Sequence, residues 1–147
     1  MKFFVINGPN LNMLGIREPQ KYGTQGYEEL LGLLREHAED RGVSLAFYQS
    51  NHEGDLVDYI QKAYFDGADG IIINPGAYTH TSVALLDAVA ATALPTVEVH
   101  ITDLSKREKF RQQSYIRAAC IDTVSGRGFA GYTEAMDLLI AYCEARP

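Results

Sequence analysis

Gly70-Ile71-Ile72-Ile73-Asn74-Pro75-Gly76-Ala77-Tyr78-Thr79-His80-Thr81-Ser82 is the stretch on which the fold turns. Gly70 to Ile73 is a short run without polar alternation, which reads as a strand buried on both faces or nearly so. Asn74-Pro75-Gly76 stops it, and a helical face of Leu85, Leu86, Val89 and Ala90 follows. A strand buried on both faces needs a layer of helices on each side, and a strand followed by a helix implies a crossover to a parallel neighbour.

Working outward from this unit, the pattern repeats. Lys2 to Ile6, Ser44 to Tyr48, Thr96 to Val99 and Ala118 to Val124 also read as strands. Between them, Leu30, Leu31, Leu34 and Ala38 share one helical face, and Leu56, Ile60, Ala63 and Tyr64 share another. Tyr132, Met136, Leu139, Ile140 and Cys143 form a closing helix, while Arg41-Gly42 and Asp66-Gly67 are helix stops. The expected architecture is an α/β three-layer sandwich of flavodoxin-like topology, with a five-stranded parallel sheet in the order 2-1-3-4-5. Ligands of such folds collect at the carboxyl ends of the strands, beside the switch point.

Composition agrees with one globular domain spanning 1–147. The 147 residues are 46% apolar, too few for an eight-fold barrel and enough for a real core. Nineteen acids against thirteen Lys and Arg leave a net charge of -6 without a basic block, so no nucleic-acid partner is expected. Any anionic ligand must therefore be held by a local cluster. Cys120 and Cys143 have neither metal nor redox spacing and read as reduced core thiols. The first apolar run is too short for a signal segment and no stretch approaches membrane-spanning length, so a cytoplasmic protein is expected.

The strand ends are polar. Asn7 to Asn12 follows the first strand, Asn74 to Ser82 the third, and Glu98-Val99-His100-Ile101-Thr102-Asp103 closes and follows the fourth. Two histidines and an acid could in principle hold zinc. Glu98 and His100, however, are i,i+2 neighbours on one strand, where a carboxylate orients an imidazole, and no metal is expected. Gly8 to Gly23, an unusually long connection, looks like a lid over this crevice, covering about 8–26. It carries Arg17 and Tyr22, and a guanidinium that stabilises a phenolate can turn a weak phenol into a base.

Four separated motifs carry a resemblance. Ile6 to Gly23 contains ING, PNLN, LG, REP and YG; Asn74 to Ser82 reads NPGAYTHTS; Val97 to His100 reads VEVH; Arg107 to Tyr115 contains RE, FR and SY. With QSNHEG at Gln49 to Gly54 and the final glycine-rich turn, the chain resembles the type II 3-dehydroquinate dehydratases over essentially its whole length. The resemblance implies reversible loss of water from 3-dehydroquinate to give 3-dehydroshikimate in the shikimate pathway, through an enolate and without a cofactor. Eliminating a hydroxyl β to a ketone needs a base, an enolate stabiliser and an acid. By the family pattern Tyr22 is the base, Arg17 favours its anion, His100 is the acid and Glu98 holds the imidazole. Asn74 serves the enolate, directly or through water. Substrate capture falls to Asn10, Asn74, His80, Ile101, Thr102 and Arg111. Asp87 matches a position reaching a neighbouring subunit's site, which implies trimers and commonly a dodecamer of four trimers.

The chain departs from the pattern after His100. Thr102 keeps a hydroxyl, but Asp103 stands where an amide is common and Ser105 where a histidine is, so a negative charge is expected near an anionic ligand. Arg107 is read equally as part of the lid region or as one charge of a solvated helix beginning at Ser105. Gly126-Arg127-Gly128-Phe129-Ala130-Gly131 is a formal GxGxxG, yet one helix follows it and no further strand, so tight turning and close helix packing explain it. His37 and His52 are read as structural or solvated. Two rival classes, a flavodoxin-like FMN-binding module and a phosphoacceptor receiver, would need a hydroxyl-rich phosphate loop after strand 1 or carboxylates at Asn7 and Asn74. A Schiff-base route to the same dehydration belongs to a barrel enzyme, and no lysine in an apolar setting is evident.

Overall fold

The computed structural model describes residues 1–16, 18, 20 and 24–147. Five strands form one parallel sheet: β1 (Lys2–Asn7), β2 (Ser44–Gln49), β3 (Gly70–Asn74), β4 (Thr96–His100) and β5 (Asp122–Ser125), in the order β2-β1-β3-β4-β5. Four helices connect and flank them among the described residues: α1 (Tyr27–Arg41), α2 (Glu53–Phe65), α3 (Val83–Thr92) and α4 (Ala130–Ala145). This is the flavodoxin-like sandwich expected from the alternation of strand and helix.

Strand periodicity sorts the core into two layers. Phe3 and Val5 of β1 pack with Ile72, Val97, Val99 and the apolar faces of α1 and α4, including Leu30, Leu34, Tyr132, Met136 and Leu139. Phe4 and Ile6 face the other way, with Ile71, Ile73 and the α2 and α3 residues Leu56, Ile60, Leu85 and Val89. Because Val97 and Val99 belong to the first layer, Thr96, Glu98 and His100 alternate to the opposite face of β4. Polar side chains are thereby carried to the layer boundary near the carboxyl end of the sheet.

Local chemistry sets the element ends. Ser82 caps α3 by accepting from Leu85 N–H at 3.0 Å. Gly42 ends α1 at φ 66°, where its N–H reaches the carbonyl of Ala38. The strands begin where expected, and the first four each run one residue further, to Asn7, Gln49, Asn74 and His100. The fifth differs: Ile116–Ala119 is a 3-10 turn, and pairing starts only at Asp122. Tyr64 also departs, being exposed rather than turned inward with Ile60. Neither Cys120 nor Cys143 is fully buried; both are half-buried free thiols. No helix among the described residues is long and apolar enough to cross a membrane.

Candidate active site

Parallel register brings the polar strand ends together. Asn7 pairs with Gln49 on one side and Asn74 on the other, and β4 ends at His100 beside Ser125. The turns after β1 and β3 touch: Gly8 N–H donates to the Asn74 carbonyl at 2.8 Å, and a Cβ on Gly8 would lie 2.4 Å from the Pro75 carbonyl oxygen. Only glycine permits that approach. A crevice results, lined in part by Asn10, Asn74, His80, His100, Ile101, Thr102, Arg107 and Arg111.

The acid–base centre lies on β4. Glu98 is completely buried and His100 is 5% exposed, and the two side chains are hydrogen-bonded through His100 Nε2 and Glu98 Oε2. That bond assigns the Nε2 proton to the carboxylate, leaving Nδ1 as the ring atom free for another partner. Glu98 accepts further bonds from Thr79 Oγ1 at 3.0 Å, Ser114 Oγ at 2.8 Å and Thr123 Oγ1 at 3.3 Å. Arg117 clasps both carboxylate oxygens, with Nε 3.1 Å from Oε1 and Nη2 3.3 Å from Oε2. Burial pushes the carboxyl pKa up, but the bond and charge of His100, then Arg117 and Ser114, outweigh it and hold the group at about 2. A buried, permanently ionised acceptor therefore stands behind the imidazole.

Amides on β1 and β3 are fixed by a buried phenol. Tyr132 of α4 donates to Asn7 Oδ1 at 2.6 Å and accepts from Asn74 Nδ2 at 2.9 Å. Asn74 Oδ1 accepts from Gly76 N–H at 3.1 Å, so both ends of the Asn74 amide are oriented. Burial drives the Tyr132 phenol well above its ordinary pKa against the lowering effect of Asn74, so it stays protonated. His80 Nδ1 donates to the Gln113 carbonyl at 2.8 Å, which leaves Nε2 as an acceptor. Burial, with help from His100 and Arg111 and against the Gln113 bond, keeps His80 below the usual imidazole range.

Asn10 is held at φ 70° at the start of a 3-10 turn, a left-handed setting asparagine tolerates. Its N–H donates to Asn51 Oδ1 at 3.0 Å, and Gln49 Nε2 reaches the Gly8 carbonyl at 3.2 Å. The QSNHEG segment thus steadies the loop that carries Asn10. Thr102 Oγ1 accepts from Arg107 Nη1 at 3.1 Å. Arg111 forms an ion pair with Glu108 at 2.8 Å.

Of the residues expected at the site, Asn10, Asn74, His80, His100, Ile101, Thr102 and Arg111 line this crevice, with Glu98 directly behind His100. Arg17 and Tyr22 lie outside the described residues. Asp87 does not line the crevice; it is exposed on α3. Arg107 belongs to the crevice, and the segment after β4 forms 3-10 turns at Leu104–Lys106 and Lys109–Arg111 in place of a solvated helix. Asp103 lies between two crevice residues, Thr102 and Leu104. Its carboxylate caps the first of these turns, accepting from Ser105 N–H at 3.0 Å and Ser105 Oγ at 2.6 Å, and it does not line the crevice.

Thr79, Ser114, Arg117, Thr123 and Tyr132 were not legible as site residues. Thr79 and Ser114 fall inside motifs quoted above, but Tyr132 reads as a core aromatic and Arg117 has no sequence signal at all. The final glycines act as turn and packing residues: Gly126 has φ 79°, and a Cβ there would meet Asp103 Cβ at 2.9 Å. His37 bonds Asp137 at 2.9 Å alongside Arg41, tying α1 to α4, and His52 is exposed at the start of α2. Among the described residues, no group of three or more His, Cys, Asp or Glu side chains could hold a metal ion.

A flavodoxin-like α/β protein with an imidazole–carboxylate pair and convergent amides at its strand ends is the class that fold and site define. The model of the class II dehydroquinase family matches residues 1–140. The chain belongs to that family. It is 48% identical over 139 residues to a 3-dehydroquinate dehydratase of Clostridium perfringens, covering 95% of this chain and 96% of that one. It is 51% identical over 146 residues to one from Carboxydothermus hydrogenoformans, covering 99% and 94%. The crystal structure of a type II dehydroquinase from Butyrivibrio crossotus superposes with a TM-score of 0.94 at 48% identity, covering 95% of this chain and 97% of that one.

Proposed function

We propose that this chain is a 3-dehydroquinate dehydratase, eliminating water reversibly from 3-dehydroquinate to give 3-dehydroshikimate. The observation that carries the reading is the Glu98–His100 pair set at a crevice of amide, hydroxyl and guanidinium groups. A cyclic polyol carboxylate presents complementary groups to such a lining.

In this reading Tyr22, supported by Arg17, removes the proton α to the ketone, and electron density moves to the carbonyl oxygen as an enolate. Asn74 steadies that oxygen, directly or through water. Collapse of the enolate expels the β-hydroxyl, which takes a proton from His100 and departs as water. Glu98 holds the imidazole throughout. Asn10, His80, Ile101, Thr102 and Arg111 position substrate. The stretch at about 8–26 acts as a lid on a single domain of residues 1–147. Asp87 serves a neighbouring subunit within a trimer, four of which form a dodecamer. The enzyme acts in the cytoplasm, in the shikimate pathway, without a cofactor.

The test is the rise in ultraviolet absorbance of the conjugated enone when purified protein meets 3-dehydroquinate. Turnover by the parent chain and its loss in a folded Tyr22→Phe variant are expected. Turnover retained by that variant would overturn the assignment of the base, and no turnover by the folded parent would overturn the reaction. Borohydride added during turnover should leave the protein mass unchanged, since no lysine Schiff base forms.

A further inference from the structure

We propose that Arg117 is a positioning residue for the acid, acting through Glu98 to fix the rotamer that holds His100 and to moderate the grip of that carboxylate on the imidazole proton. The inference rests on the dehydratase reading, in which His100 must release a proton. Arg117 enters from the 3-10 turn before β5, with its side chain 43% exposed, and its guanidinium meets a carboxylate that is wholly buried. Nε and Nη2 bond separate oxygens of Glu98, a two-point contact that fixes the plane of the carboxylate. His100 Nε2 bonds Oε2, the oxygen that also accepts from Arg117 Nη2, so the plane set on one side determines where the imidazole sits on the other.

The electrostatic part follows from the same geometry. An imidazole facing a buried carboxylate with no other counter-charge would be held as a tight ion pair and would be a poor acid. A second cation sharing the carboxylate weakens that hold. Among the described residues, the charged or titratable groups around the pair are Arg117, His80, Arg107, Arg111, Cys120 and Asp103, the last lining a second pocket with Arg117, Thr123 and Ser125. The adjacent strands bring Ile73, Thr123 and Ser125 to its flanks, none of them charged. Among the described residues, Arg117 is the cation other than His100 itself that contacts the Glu98 carboxylate.

Arg117→Met removes the cation and keeps the length of the chain, whereas Arg117→Lys keeps the charge and loses the two-point contact. For Arg117→Met, kcat at pH 7 should fall roughly 10- to 100-fold, with KM little changed. The basic limb of its pH–rate profile should move up by about one unit. Arg117→Lys should retain the parent's basic limb and lose part of kcat. In a Glu98→Gln background, Arg117→Met should cost nothing more, since its route to His100 is already gone. An unchanged profile in Arg117→Met, a defect in KM alone, or an equal loss in the Glu98→Gln background would overturn the proposal. Circular dichroism and a thermal midpoint check that each variant folds. The titration of the His100 ring signal by NMR in substrate-free protein, parent against Arg117→Met, gives a readout independent of turnover. A shift there without turnover in the parent would sink the dehydratase reading while supporting this coupling; turnover in the parent with no shift in the ring signal would do the reverse.

Discussion

Glu98 shows how much one residue depends on its surroundings. A glutamate in the middle of a buried strand is costly unless its charge is met on every side. Here His100, Arg117 and three hydroxyls meet it. With the folded pKa at about 2 and the unfolded value near 4.5, the group contributes stability that is fully present above the unfolded value. That contribution is lost as pH falls through the window toward 2. Denaturant midpoints of the parent should therefore fall more steeply between pH 4.5 and 2 than those of Glu98→Gln. Activity makes a second prediction: His100→Ala should lower kcat by about 10²- to 10⁴-fold in the enone assay, the range of a lost general acid. The Cys120 thiol, pushed up to about 12 by burial and then by the Glu98 charge, should react slowly with thiol reagents at neutral pH in folded protein.

At the scale of elements, the crevice is made where the turns after β1 and β3 meet. Gly8 lies against Pro75, so Gly8→Ala forces a backbone shift in one turn or the other. The expected cost is about 1–3 kcal/mol, read as a lower denaturant midpoint. Because Asn10 and Asn74 sit on these two turns, kcat/KM should fall with it. The strands and helices were legible because alternation, burial on both faces and glycine stops are local signals. The fifth strand was less so. It was expected from Ala118, yet Ala118 and Ala119 belong to the 3-10 turn Ile116–Ala119 that places Arg117 on Glu98. That turn is held by contacts distant in sequence: Ile116 is buried with the α2 and α3 residues, and Arg117 bonds Glu98 nineteen residues away.

The whole molecule raises the question of Asp87. It is exposed on α3 and outside the crevice of its own chain, and the role proposed for it lies at a neighbouring copy's site. Sedimentation of the active protein should give the mass of three or twelve chains. Asp87→Ala should keep the fold and lower kcat/KM by about tenfold or more, the scale of a lost charged hydrogen bond. A monomer with full activity would remove that role.

The sequence by itself determined the order of strands and helices, the flavodoxin-like sheet, and the family motifs that bring Asn10, Asn74, His80, Glu98, His100 and Arg111 into question. These are matters of periodicity and of residue types at strand ends, which a chain carries locally. Tertiary structure alone decided that Tyr132 orients Asn74 across 58 residues, that Asp103 caps a turn without lining the crevice, and that Arg117 grips Glu98. The physical reason is that a hydrogen-bond partner is chosen by the packing of distant elements. A buried donor or acceptor must be satisfied by whatever polar group the fold brings within reach.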